Sequence, residues 1–429
     1  MSNETVAIQP AAKNAITMQI ATIGAFFFIF GFITWVNGTL IPYLRIACEL
    51  EEWQAYLVTF AFYISYTVMA IPSSKLLQYT GMVKGMSVGL VIMAIGCALF
   101  IPAAMMRYYP LFLIGLFIVG TGTTLLQTTV NPYITLLGPP EKAAQRISIM
   151  GICNKFAGVM APIVLGAIIL KNSDGLIAEL QQMDDIKRNI RLDTLAHAVI
   201  MPYIALTIIL LVIAYVIRFA HLPEIEATSN DGAEEIHQHV KSAPISRKNF
   251  ALGFIATFCT VGLEVVAGDT ISNYGIYHGV PLDIAKNLTS YTLACTMLGY
   301  LFGAYAIPRY ITQEKAFTYS SWLGLIILLF AIFIPGEISI YFIALLGLAN
   351  ALLWPAIWPQ ALKGLSGQIL NKGSAILIMG VAGGAIMPLV YGAVARHTNN
   401  QYAYLILIPC YLFTLYYSLK GQKASNKTL

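Results

Sequence analysis

Three charged side chains, Lys155, Glu264 and Asp269, fall inside stretches of sequence that are otherwise apolar. An ionisable group in such a place is costly, and its ordinary uses are binding a proton or an ion, or pairing with an opposite charge. Glu264 and Asp269 share one segment with Gly262, Gly268 and Gly275, which would allow local unwinding. On an ideal helix Asp269 and Asn273 share a face at i, i+4, whereas Glu264 points about 140° away from Asp269. Asp269 and Asn273 are therefore expected to face one cavity, and Glu264 a neighbouring helix. Lys155 needs a carboxylate, and these two are the ones available. Ion coupling through Asp269, Glu264 and Lys155 and a purely structural salt bridge both stay open, and a pair that breaks and reforms would serve both.

Uncharged groups form a second pattern. Gln127 precedes Pro132 by five positions, just as Asn350 precedes Pro355, so two apolar segments carry an amide and a helix breaker in the same places. Broken helices and polar groups are tolerated in a bilayer where neighbours or a water-filled cavity satisfy the freed backbone, which is how central transport sites are built. Gln127 and Asn131 share a face, and Asn37, Asn154, Asn273 and Asn350 lie in further apolar segments. Amides donate and accept at once, which matches a sugar hydroxyl that does the same. Trp354 and Trp358, on the face of Asn350, offer an aromatic surface for the C–H face of a sugar ring, Trp354 being nearer the middle of its segment.

These residues need elements that cross a bilayer. The chain of 429 residues is 58% hydrophobic and 10% charged, against a charged fraction of about 25% in soluble domains. Windows of about 20 apolar residues each span the hydrocarbon as a helix. Twelve are predicted, at 17–44, 54–77, 82–105, 110–137, 145–170, 198–219, 249–277, 284–307, 314–334, 337–363, 372–396 and 401–420. The expectation is an all-α membrane protein organised as a tail (1–16), a six-helix bundle (17–220), a polar linker (221–248), a second six-helix bundle (249–420) and a tail (421–429). Duplication is visible again where Ile149-Met150-Gly151 recurs as Ile378-Met379-Gly380. With both termini cytoplasmic, sixteen lysines and arginines fall inside and eight outside, the bias that sets topology. Part of the polar stretch 171–197 reads as a short surface helix.

The six cysteines are scattered over different spans without CxxC spacing, so neither a disulfide framework nor a metal site is expected. HExxH and GxxxxGK[ST] are missing, and no catalytic residue or cofactor is expected. The net charge of +5 follows from the topology bias, with no role for nucleic acid. Expected partners are a hexose, a proton or sodium ion, and the lipid bilayer, with the protein acting as a monomer.

Several longer motifs add to this. Trp35-Val36-Asn37-Gly38-Thr39-Leu40-Ile41-Pro42, Ala61-Phe62-Tyr63-Ile64-Ser65-Tyr66, Asn131-Pro132-Tyr133 before Leu137-Gly138-Pro139, Pro202-Tyr203, Leu222-Pro223-Glu224, Val261-Gly262-Leu263-Glu264-Val265 and Asn350-Ala351-Leu352-Leu353-Trp354-Pro355 occur in order along the chain. In these the chain resembles the fucose/glucose-galactose symporter family of major facilitator proteins, and within it the glucose/galactose branch. The resemblance implies the major facilitator fold and hexose uptake driven by a cation gradient across an inner membrane. In the fucose/proton branch, carboxylates in spans one and four are central to coupling and sugar binding; here Gly38 and Gln127 stand at those positions. Coupling would then fall to a carboxylate of span seven or to sodium held partly by neutral oxygens. A hexose uniporter and a non-transporting sugar sensor with a transporter body are the alternatives.

Overall fold

The computed structural model describes residues 13–136, 143–169, 176–218, 247–307, 309–361, 373 and 376–425. The linker predicted at 221–248 lies outside them except for its last two residues, and the side chains of Asn131 and Trp358 also lie outside what is described. In the first half the helices are α1 (Lys13–Trp35), α2 (Asn37–Ala47), α3 (Glu52–Ala55), α4 (Leu57–Thr80), α5 (Met82–Ala98), α6 (Phe100–Met105), α7 (Tyr109–Leu136), α8 (Ala143–Ile169), α9 (Leu176–Gln182), α10 (Asp185–His197) and α11 (Ile200–Val216). The second half holds α12 (Arg247–Asp269), α13 (Ile271–Tyr277), α14 (Leu282–Ala285), α15 (Leu288–Ala306), α16 (Gln313–Phe333), α17 (Ile338–Asn350), α18 (Leu353–Ala361), α19 (Ala382–His397) and α20 (Leu407–Ser425). The surface helix expected within 171–197 is α9 and α10, whose Leu176, Leu180 and Leu192 form a small apolar cluster of their own.

Among the described residues, eleven helical stretches are long and apolar enough to cross a membrane. The eighth predicted span corresponds to α15, whose 19 residues reach about 28 Å at 1.5 Å per residue, close to a hydrocarbon thickness of about 30 Å. Its mixed composition has a simple reason. Thr289, Thr292, Thr296, Gly299 and Gly303 are buried, while Tyr291, Leu298, Phe302 and Tyr305 are exposed. The polar and small face lies against α8 and α17 and the apolar face is left for lipid, the reverse of a surface helix in water.

Within the first half α1 packs on α8, α4 and α5 on α7, and α5 on α11; within the second, α12 packs on α19 and α20, α15 on α17, and α16 on α17 and α20. The halves are joined most extensively by α8 with α15 and α4 with α19, and also by α3 with α19 and by α2 with α12 and α13. Proline, which lacks an N–H and crowds the carbonyl four residues earlier, accounts for only some of the breaks. The helix α7 continues through Pro132, so the break expected there to match that at Pro355 does not form, and the α12–α13 break at Thr270 has no proline near it. Pro355 crowds Ala351, where α17 gives way to α18, and Pro42 crowds Gly38, beside the junction of α1 and α2. Pro162 and Pro388 likewise follow Gly158 and Gly384 inside α8 and α19. These glycines are notches into which other helices press. A Cβ on Gly38 would collide with Thr289 of α15, one on Gly158 would lie 2.7 Å from the Trp35 ring, and one on Gly384 would lie 3.1 Å from Tyr63 of α4.

Candidate functional site, a polar seam between the halves

Asp269 and Asn273, one turn apart across the α12–α13 junction at Thr270, are both 1% exposed and meet the first half at α3 and α4. The Thr59 hydroxyl donates to Asp269 Oδ2 at 2.8 Å, and Asn273 Nδ2 donates to the Tyr56 hydroxyl at 3.4 Å. Asp269 Oδ1 and Asn273 Oδ1 have no hydrogen-bond partner. Glu264 points elsewhere, as the helical angle requires, and forms an ion pair with Lys155 of α8. The Lys155 ammonium also sits 4.3 Å from the centre of the Trp35 ring, a cation–π contact. Both charged contacts therefore bridge the two halves. Of the two carboxylates open to it in sequence, Lys155 takes Glu264, and among the described residues no basic side chain pairs with Asp269.

The amides distribute differently. Gln127 Nε2 donates to the Tyr66 hydroxyl at 2.9 Å, within the first half. Asn154 donates weakly to the Phe27 carbonyl at 3.4 Å, also within the first half. Asn350 Oδ1 accepts from the Tyr411 hydroxyl at 2.7 Å within the second half, leaving its Nδ2 without a partner. Trp354 is partly buried against the main apolar core. Asn37 is fully buried beside the α1–α2 break, and neither of its amide atoms has a partner. It lines a void of about 10 Å³ with Phe62, Phe100 and Tyr203 inside the first half, room for about one water. Asn37 thus lines a void within the first half, on a helix that packs against α12 and α13, and Asn131 falls outside the described side chains.

Four residues of α4 and its start, Tyr56, Thr59, Tyr63 and Tyr66, complete the seam and were missed among the sequence candidates. Their spacing of three, four and three places them on one helical face, a signal readable in the sequence. The Tyr63 and Tyr66 rings stack with centroids 6.0 Å apart, and Tyr66 holds Gln127.

Beyond Tyr56 the seam is closed by a band of contacts. The Tyr56 ring meets Tyr391 edge-on at 5.7 Å, Asn400 Nδ2 donates to Glu52 at 2.7 Å, and Arg396 pairs with Glu51 at 3.3 Å. The halves are therefore shut on the Glu51 side. A larger apolar recess of about 380 Å³, lined by Gly24, Phe28, Met150 and Cys153 among others, lies between α1 and α8 and contains none of the polar candidates.

Residues 23–388 match the profile of the Major Facilitator Superfamily. The chain is 31% identical over 426 residues to a glucose/galactose transporter of Brucella abortus (strain 2308), covering 99% of this chain and 98% of that protein. It is 27% identical over 421 residues to the L-fucose-proton symporter of Escherichia coli K12, covering 95% and 94% respectively. Among solved structures it is similar to FucP, a Major Facilitator Superfamily transporter in the outward conformation, at TM-score 0.73 and 25% identity, covering 95% of this chain and 99% of that one. An inward-facing bacterial homolog of the human lysosomal transporter Spinster shares the fold at TM-score 0.65 and 13% identity.

Proposed function

The chain belongs to the major facilitator superfamily, and its relatives there are transporters and not enzymes; from that premise we propose that it imports a hexose, glucose or galactose, by cation symport with alternating access between its two halves. The observation that carries this reading is the seam: a carboxylate and an ion pair, both deep in apolar helices, each bridge one half to the other. Charge in that position is expensive unless the contact is used, and a contact that spans the halves has to form and break as they rock.

In this reading Asp269 binds the coupling cation, H+ or Na+, and the Lys155–Glu264 pair latches the halves together on the sugar-loaded side of the cycle. The sugar lies between α4, α7, α8 and α17–α18. Gln127, held by Tyr66, together with Asn154 and Asn350 supplies donors and acceptors to its hydroxyls, and the Tyr63–Tyr66 stack and Trp354 supply apolar surface for its ring. The protein works as a monomer in the inner membrane with both termini cytoplasmic, so that the Glu51 side faces out and the conformation described is closed to the outside.

The test is uptake of labelled glucose or galactose into proteoliposomes, with sodium and proton gradients imposed separately. Symport predicts accumulation above equilibrium with one gradient and not without it. Equilibration indifferent to both gradients would identify a uniporter, and sugar binding with no flux a sensor; either result overturns the symport reading.

A further inference from the structure

We propose that Asp269 and Asn273, with the hydroxyls of Thr59 and Tyr56, form a site for one dehydrated alkali-metal cation that straddles the two halves; this rests on the symport reading above and names the coupling ion's chemical class. Buried polar atoms are normally paired. Here two acceptor oxygens on one helical strip, Asp269 Oδ1 and Asn273 Oδ1, have no donor, although both residues are 1% exposed. A proton on Asp269 Oδ1 would offer one O–H to be shared with the Asn273 oxygen, whereas a cation draws ligands from both oxygens and from the Thr59 and Tyr56 hydroxyls as well.

The charge balance sets its valence. Asp269 contributes one negative charge, and Lys155, the basic side chain deep in the helices nearby, is committed to Glu264. A single positive charge therefore neutralises the site. Calcium gathers six to eight oxygens, usually with several carboxylates, and one carboxylate does not supply that. The Thr59 and Tyr56 oxygens, each already within hydrogen-bond reach of Asp269 or Asn273, keep lone pairs free for a cation. Carboxylate, amide and hydroxyl oxygens are hard ligands, suited to sodium, lithium or potassium rather than to a soft metal.

The placement couples occupancy to conformation. Thr59 and Tyr56 belong to the first half, and Asp269 and Asn273 to the second. Parting the halves on the Glu51 side removes half of the ligand oxygens, so the cation binds tightly to the closed arrangement and weakly to the open one. A ligand that prefers one state shifts the equilibrium toward it by that preference.

The experiment measures cation binding directly, on the purified full-length protein without sugar. Radiolabelled sodium is titrated with unlabelled sodium, lithium and potassium as competitors, and melting temperature is followed in each chloride salt against choline chloride. The expected results are saturable binding of one cation per chain, competed by at least one alkali cation, and a rise in melting temperature with its concentration. Asp269→Asn should abolish binding, and Asn273→Leu should weaken it by about tenfold or more, each with unchanged elution on gel filtration. The melting shift of the unmodified protein tests the site even where a variant fails to fold. No saturable binding and no salt-specific shift would overturn the proposal, as would binding that survives both substitutions. Accumulation driven by a proton gradient without alkali-cation binding would overturn this site and leave symport standing. Saturable binding without accumulation in any gradient would uphold the site and overturn symport.

Discussion

Replacing Glu264 by Gln should open the Glu51 side. The Lys155 and Glu264 side chains are 7% and 17% exposed, and removing one partner of a buried pair costs about 3–5 kcal/mol because the other charge is left buried. Partial exposure of Glu264 places the cost at the low end, and the Trp35 ring still offers the ammonium about 1 kcal/mol. The closed arrangement should therefore lose about 2–3 kcal/mol relative to one in which the halves part and water reaches Lys155, a shift of about 30- to 150-fold in the ratio of states. Ser290 reports on this, because its hydroxyl donates to the Val159 carbonyl across the α15–α8 contact at 2.7 Å, and it is 3% exposed. With the six native cysteines replaced, the maleimide labelling rate of Ser290→Cys should rise by about that factor in Glu264→Gln. Neutralising both partners with Lys155→Met and Glu264→Gln removes the stranded charge, and the rate should return to within about fivefold of the parent, about 1 kcal/mol. Equal labelling of the single and double variants would refute the reasoning, because the pair would then not be coupled to closure.

Three further outcomes are expected. Gly38→Ala puts a Cβ into Thr289 and should lower sugar uptake at least about tenfold, with partial recovery when Thr289→Ala is added, as expected for the relief of overpacking; uptake unaffected by Gly38→Ala would contradict the close approach of α2 and α15. Arg396→Ala should change Ser290→Cys labelling by less than about fivefold, since its partner Glu51 and Arg396 itself are more than half exposed and surface pairs contribute about 0–1 kcal/mol, whereas Asn400→Ala, which strips a 5% exposed amide from Glu52, should raise labelling more. Gln127→Glu places a carboxylate against the Tyr66 hydroxyl and should make uptake depend on a proton gradient; identical pH dependence in parent and variant would count against a role for this position in coupling.

Much of the architecture was legible in the chain. Apolar windows gave the spans to within a few residues, but proline marked only some of the breaks: Pro355 lies just past one, α7 runs through Pro132, and α12 breaks at Thr270 without a proline. The angular separation of Glu264 from Asp269 held in three dimensions because a helix fixes relative direction along its own axis. Span eight, predicted at 284–307, forms α15, with its threonines and glycines against other helices and its apolar residues left for lipid. The amides were located along the chain, yet three of them bond within their own half, and Asn37 lines a water-sized void.

The sequence by itself determined that this is a duplicated, helical membrane protein with three charges in its apolar segments, because hydropathy and helical period are properties of residues close together in the chain. It left open which carboxylate Lys155 takes and what faces Asp269. Those choices were decided by packing: Thr59 and Asp269 are 210 positions apart, and whether they touch depends on how each helix is rotated and where it crosses its neighbours. Notches such as Gly38, Gly158 and Gly384, filled from other helices, set that geometry, and no local pattern specifies the side chain that fills a notch.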